Sequence, residues 1–149
     1  MVVGASLGVV IGQEACRVTE VEALDAVAGY TIVGDYSLPE QTYFRPDIKG
    51  KCLDGSAPVG PVVAEVATPN AVEVIISVNG AAQSRFSYAN LERSVETLIS
   101  KLSYIMTLQP GEVIAVGFAG ERTPVAPDDK VELSIDGIGT LTSTLGAKA

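Results

Sequence analysis

The chain has 149 residues, 47% of them apolar and 19% charged, which is one domain's worth and enough to bury a core. Its net charge of -8 excludes nucleic acid and an anionic membrane surface as partners, because no basic stripe is available to neutralise phosphates. The absence of His removes Ser-His-Asp triads, Cys-His pairs and imidazole-ligated zinc, so any metal must take oxygen ligands, as magnesium, manganese or calcium do. Aromatic residues are few, at 5% with no Trp, which argues against a base- or sugar-stacking surface. A small acidic substrate stays open, since one local Lys or Arg can outweigh a distant negative field.

In chain order, residues 1–11 are too short and too poor in basic residues for a targeting segment, and they read as a core strand with its clearest β run at 7–12. Thr19-Glu20-Val21-Glu22 has the capping-box pattern and predicts a helix to about Ala28, stopped by Gly29. A strand follows at 30–33. From 38 to 61 the chain turns irregular, with Pro39, Pro46, Gly50, Gly55, Pro58, Gly60 and Pro61, and a loop of this length containing Tyr43 and Phe44 reads as functional. Residues 72–78 and 83–86 flank Asn79-Gly80, a strong hairpin signal. Val95, Leu98, Ile99, Leu102, Ile105 and Met106 recur at helical spacing and predict a helix over 90–106 with one buried face. Gln109-Pro110-Gly111-Glu112 is a turn, 113–117 a strand, and 130–135 with 140–145 a terminal hairpin or meander around Asp136-Gly137-Ile138-Gly139. Cys16 and Cys52 are expected as buried thiols in a reducing cytoplasm, and no window approaches a membrane span.

The blocks SLGVVIG, AGYTIVGDYSLPE, YFRPDIKGKCLDGSAPVGP, the hairpin at VNG, the second helix and TLQPGEVIAVG follow one another in an order and spacing that resemble one repeat unit of the fumarylacetoacetate hydrolase superfamily. The resemblance covers nearly the whole chain. It implies an α+β, mainly β fold, the superfamily's mixed β-sandwich roll with two helices. It also implies a single domain over 1–149 that lacks the usual N-terminal extension, where relatives carry a lid with a His-Glu base, so that Met1 marks a shortened product or a fragment. Within the superfamily, DYSLPEQTYFRPDIKGKCLDG resembles the N-terminal half or subunit of the bifunctional isomerase/decarboxylases of homoprotocatechuate degradation. Those decarboxylate 5-oxopent-3-ene-1,2,5-tricarboxylate and isomerise 2-hydroxyhepta-2,4-diene-1,7-dioate.

The resemblance carries over residue by residue. Relatives hold a divalent cation, Mg2+ or Mn2+, with a Glu-x-Glu on the first strand and one Asp, and such a cation stabilises enolate charge. Asp35 matches the Asp, in GDYS, whereas Gly4-Ala5-Ser6 stands where the Glu-x-Glu is expected, so a cation here would lean on water and ligand. Lys51 matches the active-site lysine that faces bound substrate, and Asp54 an Asp of the same loop, either catalytic or closing a turn. Arg45 and Tyr36 are assigned to substrate binding, Arg45 with a surface role as its equal alternative. Pro39 replaces a carboxylate-binding Arg, and Phe118 replaces a substrate-binding Thr, closing space and removing a donor.

Two functional expectations follow from the resemblance. One is an isomerase/decarboxylase subunit of aromatic-acid catabolism acting on a small oxo-dicarboxylate or tricarboxylate. The other is a non-catalytic half that supports an active one, as a homodimer or as a heteromer with an intact paralogous subunit. A hydrolase of fumarylacetoacetate or acylpyruvate type ranks behind both, because it needs an activated water that a chain without His and with a poor metal site is ill equipped to supply.

Overall fold

The structure, a computed structural model, describes residues 1–39, 47–60, 65–118 and 120–146. Strand β1 (Val2–Ile11) is the hub of the first sheet. It pairs antiparallel over its whole length with β2 (Val27–Ser37), from Val2 opposite Ser37 to Ile11 opposite Val27. Such long pairing, with one register shift between Val10 and Ile11, follows from two β-branched runs with apolar residues on alternate positions.

The second sheet begins with the expected hairpin, β3 (Glu73–Val78) and β4 (Ala81–Ser87). Asn79 and Gly80 between them have φ of 51° and 81°, the left-handed pair that a tight hairpin turn requires. Short β5 (Val113–Ala115) and β6 (Thr123–Pro124) both pair with β1, whereas β7 (Lys130–Ile135) and β8 (Gly139–Thr144) extend the second sheet to the order β4-β3-β7-β8. All the strand ladders among the described residues are antiparallel.

The two sheets share one core. Val3, Ala5, Leu7, Val9 and Ile11 point inward from β1, with Tyr30, Ile32 and Tyr36 from β2. Val74, Ile76, Val131, Leu133, Ile135 and Leu141 meet them from the other sheet. The period of two places every second residue of each strand in this layer.

Two α-helices are present among the described residues, as expected, but one lies elsewhere than the sequence predicts. Helix α1 (Ile48–Lys51) is a single turn capped by Asp47, whose carboxylate accepts from Gly50 N at 2.9 Å. Helix α2 (Val95–Ile105) is capped by Ser94. The helix predicted from Thr19 does not form. Glu22 does reach back to Thr19 N at 3.1 Å, but the segment makes only a 3-10 turn, Ala23–Ala26. Gly12 N takes the Ala26 carbonyl at 2.8 Å and Val27 pairs with Ile11, so sheet pairing overrides the local helical signal. The cysteines correct a second expectation, since Cys16 and Cys52 are both free and exposed.

Part of the 38–61 loop runs back along the outer edge of β2. Gly34 N donates to Pro58 O at 2.9 Å, Tyr36 N to Ser56 O at 2.8 Å and Gly60 N to Ile32 O at 2.8 Å. This covers a strand edge that would otherwise expose unpaired backbone. It also carries Lys51 to the end of β2, where Leu38 N donates to Gly50 O at 3.0 Å.

Candidate functional site

The residues on β1 and β2 that do not face the core form the site. Gly4, Ser6 and Gly8 lie on this outer face, opposite Asp35, Val33 and Thr31 respectively. On its other edge β1 pairs with β5 over residues 8–10 and with β6 at Val2 and Val3, so residues 4–7 fall between those two ladders. Relatives are expected to present a Glu-x-Glu in this interval. Here it is filled by the protein itself. The Ser6 hydroxyl accepts from Gly117 N at 2.9 Å, and Leu7 N donates to the Tyr88 hydroxyl at 2.8 Å, which in turn donates to Gly117 O. The Phe118 ring lies over Gly4 so closely that a Cβ there would sit 2.9 Å from two ring carbons.

Asp35 is the one carboxylate of this face, and two cations hold it. Arg122 donates Nη2–H to Asp35 Oδ2 and Nη1–H to the Asp35 carbonyl at 2.9 Å, and Lys51 Nζ lies 3.5 Å from Oδ2. The Arg122 guanidinium also stacks on Phe118, 4.7 Å above the ring centroid, which adds a cation–π contact. Burial pushes the Asp35 carboxyl up, but the hydrogen bond and charge of Arg122, with Lys51, outweigh it and hold the group below its ordinary value. Lys51 thus stands beside Asp35 as its second cation. Arg122 is the principal partner, and it carries no signature in the sequence: only the register of β6 against β1 brings it here.

The other expected site residues separate from this cluster. Tyr36, expected to bind substrate, belongs to the core in this structure. Next to Asp35 in an extended strand it points to the opposite face, is buried, and its hydroxyl meets Ser143 Oγ at 2.5 Å across the two sheets. Asp54 is exposed in a turn closed by Ser56 N donating to Leu53 O at 3.1 Å. Among the described residues it makes no ion pair with Lys51 or Arg122, which supports its turn role over a catalytic one. Arg45 lies outside the described residues. Phe118 closes space as its sequence context suggested.

The donor set does not fit a divalent cation. Mg2+ needs a near-octahedral oxygen shell, with carboxylates that bring negative charge. Gly4 has no side chain, the Ser6 hydroxyl is engaged with backbone, and Asp35 is already neutralised by two cations. Among the described residues no group of three His, Cys, Asp or Glu side chains is placed to hold a metal.

Known proteins share this architecture. Residues 1–146 match the fumarylacetoacetate (FAA) hydrolase C-terminal family. The chain is 40% identical over 146 residues to the 4-hydroxyphenylacetate degradation bifunctional isomerase/decarboxylase of Salmonella dublin, covering 95% of this chain and 34% of that protein. It superposes on the crystal structure of 2-hydroxyhepta-2,4-diene-1,7-dioate isomerase from Mycobacterium marinum with a TM-score of 0.90 at 30% identity, covering 99% of this chain and 59% of that one. For fumarylpyruvate hydrolase from Pseudomonas aeruginosa, solved with Mn2+ and pyruvate, the TM-score is 0.88 at 26% identity, covering 99% of this chain and 66% of that one. A divalent metal is thus found within the family. The chain spans about a third of the length of the curated isomerase/decarboxylase it matches. With both the profile and the superposed sheets running through nearly every residue, the chain belongs to the fumarylacetoacetate hydrolase family.

Proposed function

We propose that this chain is a unit of a 5-oxopent-3-ene-1,2,5-tricarboxylate decarboxylase/2-hydroxyhepta-2,4-diene-1,7-dioate isomerase of aromatic-acid catabolism, and that it works as the half without its own metal. The observation that carries the reading is the outer face of β1 and β2. It carries Asp35 and Lys51, which the motif resemblance assigns to the site, and Gly4 and Ser6 where that resemblance expects two carboxylates, with Arg122 on Asp35. The 40% identity to a bifunctional isomerase/decarboxylase of 4-hydroxyphenylacetate degradation supports the pathway.

In this reading the chemistry belongs to a paralogous half with the complete Glu-x-Glu. There Mg2+ or Mn2+ would draw the carboxylate and oxo oxygens of a small oxo-dicarboxylate or tricarboxylate together and stabilise the enolate. The present chain contributes fold, assembly as a homodimer or heteromer, and the orientation of its partner, in the cytoplasm. No helix among the described residues is long and apolar enough to cross a membrane.

Co-expression with a Glu-x-Glu-bearing half tests the proposal. The expected result is a stable heteromer with Mg2+- or Mn2+-dependent decarboxylase and isomerase activity, and an isolated chain with none. Metal-dependent turnover by the isolated chain would sink the reading, as would a chain that stays monomeric both alone and with that partner.

A further inference from the structure

Asp35 and Arg122 stand on opposite sides of β1. Asp35 is paired with Gly4 across the β1/β2 ladder, and extending the β1/β6 register (Val3 opposite Thr123) by one residue sets Arg122 opposite Gly4 on the other edge. With strands about 4.8 Å apart, the two backbones lie roughly twice that distance from each other, within reach of an extended arginine. The space over residue 4 is open to a ring because residue 4 is glycine, and Phe118 takes it, so close that a Cβ there would lie 2.9 Å from two ring carbons. The same ring then offers a face to the Arg122 guanidinium, 4.7 Å from its centroid.

We propose that Arg122 is a tethered cation that takes the place of the divalent metal and shuts the site to it. The proposal rests on the reading of this chain as a half without its own metal, and it adds the agent of exclusion. Missing carboxylates alone would leave a weak site that a substrate could complete. A guanidinium on Asp35 does more: with Lys51 it gives the cluster two positive charges against one negative, so an arriving divalent cation meets repulsion where relatives offer attraction. Gly4, Phe118 and Arg122 then form one adaptation. A glutamate at position 4 would collide with the Phe118 ring, and the smaller Thr at position 118 would leave the guanidinium without its stacking face.

The test rebuilds the carboxylates with and without the arginine. One variant carries Gly4→Glu, Ser6→Glu and Phe118→Thr, and a second adds Arg122→Ala. Mn2+ binding is read by the loss of free-ion EPR signal, with circular dichroism as the folding check. The second variant is expected to bind Mn2+ on the order of 100-fold more tightly than the first. In parallel, Mn2+ should raise the melting temperature of the single Arg122→Ala chain, and should not raise that of the unaltered chain or of Asp35→Asn/Arg122→Ala. Equal affinity in the two rebuilt variants overturns the proposal. Should the rebuilt chains not fold, an Arg122→Ala chain whose melting temperature ignores Mn2+ overturns it instead. Tight Mn2+ binding at Asp35 in the unaltered chain is a different result, and it defeats the reading of the chain as a half without its own metal.

Discussion

Asp35 shows how a residue can keep its place in a motif while changing its partner. Its carboxyl is held below the ordinary value of 3.8, against the upward push of burial, by Arg122 and Lys51. A carboxyl depressed on folding contributes stability that is present above its unfolded pKa and lost as pH falls through the folded one. The affected window therefore lies at and below pH 3.8. Urea midpoints of the wild type should fall between pH 6 and pH 3 by more than those of Arg122→Gln, which has already lost the pair. At neutral pH Arg122→Gln should cost about 1.5–3 kcal/mol, the scale of a hydrogen bond to a charged group, and toward the lower end because Asp35 is partly open to water. Lys51→Ala should cost less than 1 kcal/mol or so, since its contact is long and its side chain partly solvated. An acid response that is identical in wild type and Arg122→Gln would show that Asp35 is not held by the arginine.

Among the elements, the hairpin and the second helix make the contrast between what local sequence determines and what packing decides. Asn79-Gly80 is legible because the left-handed turn needs residues that tolerate positive φ, and Gly80 sits at 81°. Gly80→Ala should cost about 1–2 kcal/mol, the penalty of a Cβ in that region, measured by urea unfolding. The spacing that predicts α2 is equally legible, but not its extent or its whole buried face. Val95 and Ile99 are buried, whereas Ile105 and Met106 are exposed, Ile105 by 75%. The inner stripe runs on through serines instead. Ser100 Oγ donates to Val18 O at 2.8 Å and Ser103 Oγ accepts from Val18 N at 3.0 Å, fixing the helix to the 15–18 segment. Hydropathy cannot announce such contacts, because they satisfy backbone groups far away in sequence. Ile99→Ala should therefore cost about 2–5 kcal/mol, and Ile105→Ala should stay within about 0.5 kcal/mol of wild type. Equal losses at the two positions would restore the uniform apolar face that the periodicity suggested.

At the scale of the molecule, fold and candidate site were legible to different degrees because they depend on different information. The motif blocks mark the β1 and β2 strands, Asp35 and Lys51, since each is a local stretch of text. Arg122 and the hydroxyl of Tyr88 act through register between distant strands, and no window of the sequence contains both partners. Tyr88 is the clearer case. It follows directly on the end of β4 in the second sheet, is 1% exposed, and serves residues of the first sheet, accepting from Leu7 N at 2.8 Å and donating to Gly117 O. Leu7 lies in the interval of β1 that falls between its two flanking ladders, and Gly117 in the segment that follows β5. Tyr88→Phe keeps the ring and its packing on Phe86 but strands a buried N–H and a carbonyl. The cost should be about 1–3 kcal/mol for each group that water cannot reach. Because the hydroxyl pins one sheet to the other, amide exchange in the variant should rise at Leu7 and Gly117 while the Glu73–Val78 and Lys130–Ile135 strands stay protected. Uniform exchange gains across both sheets would mean that Tyr88 contributes only to global stability, and unchanged exchange at Leu7 would remove it from the site altogether.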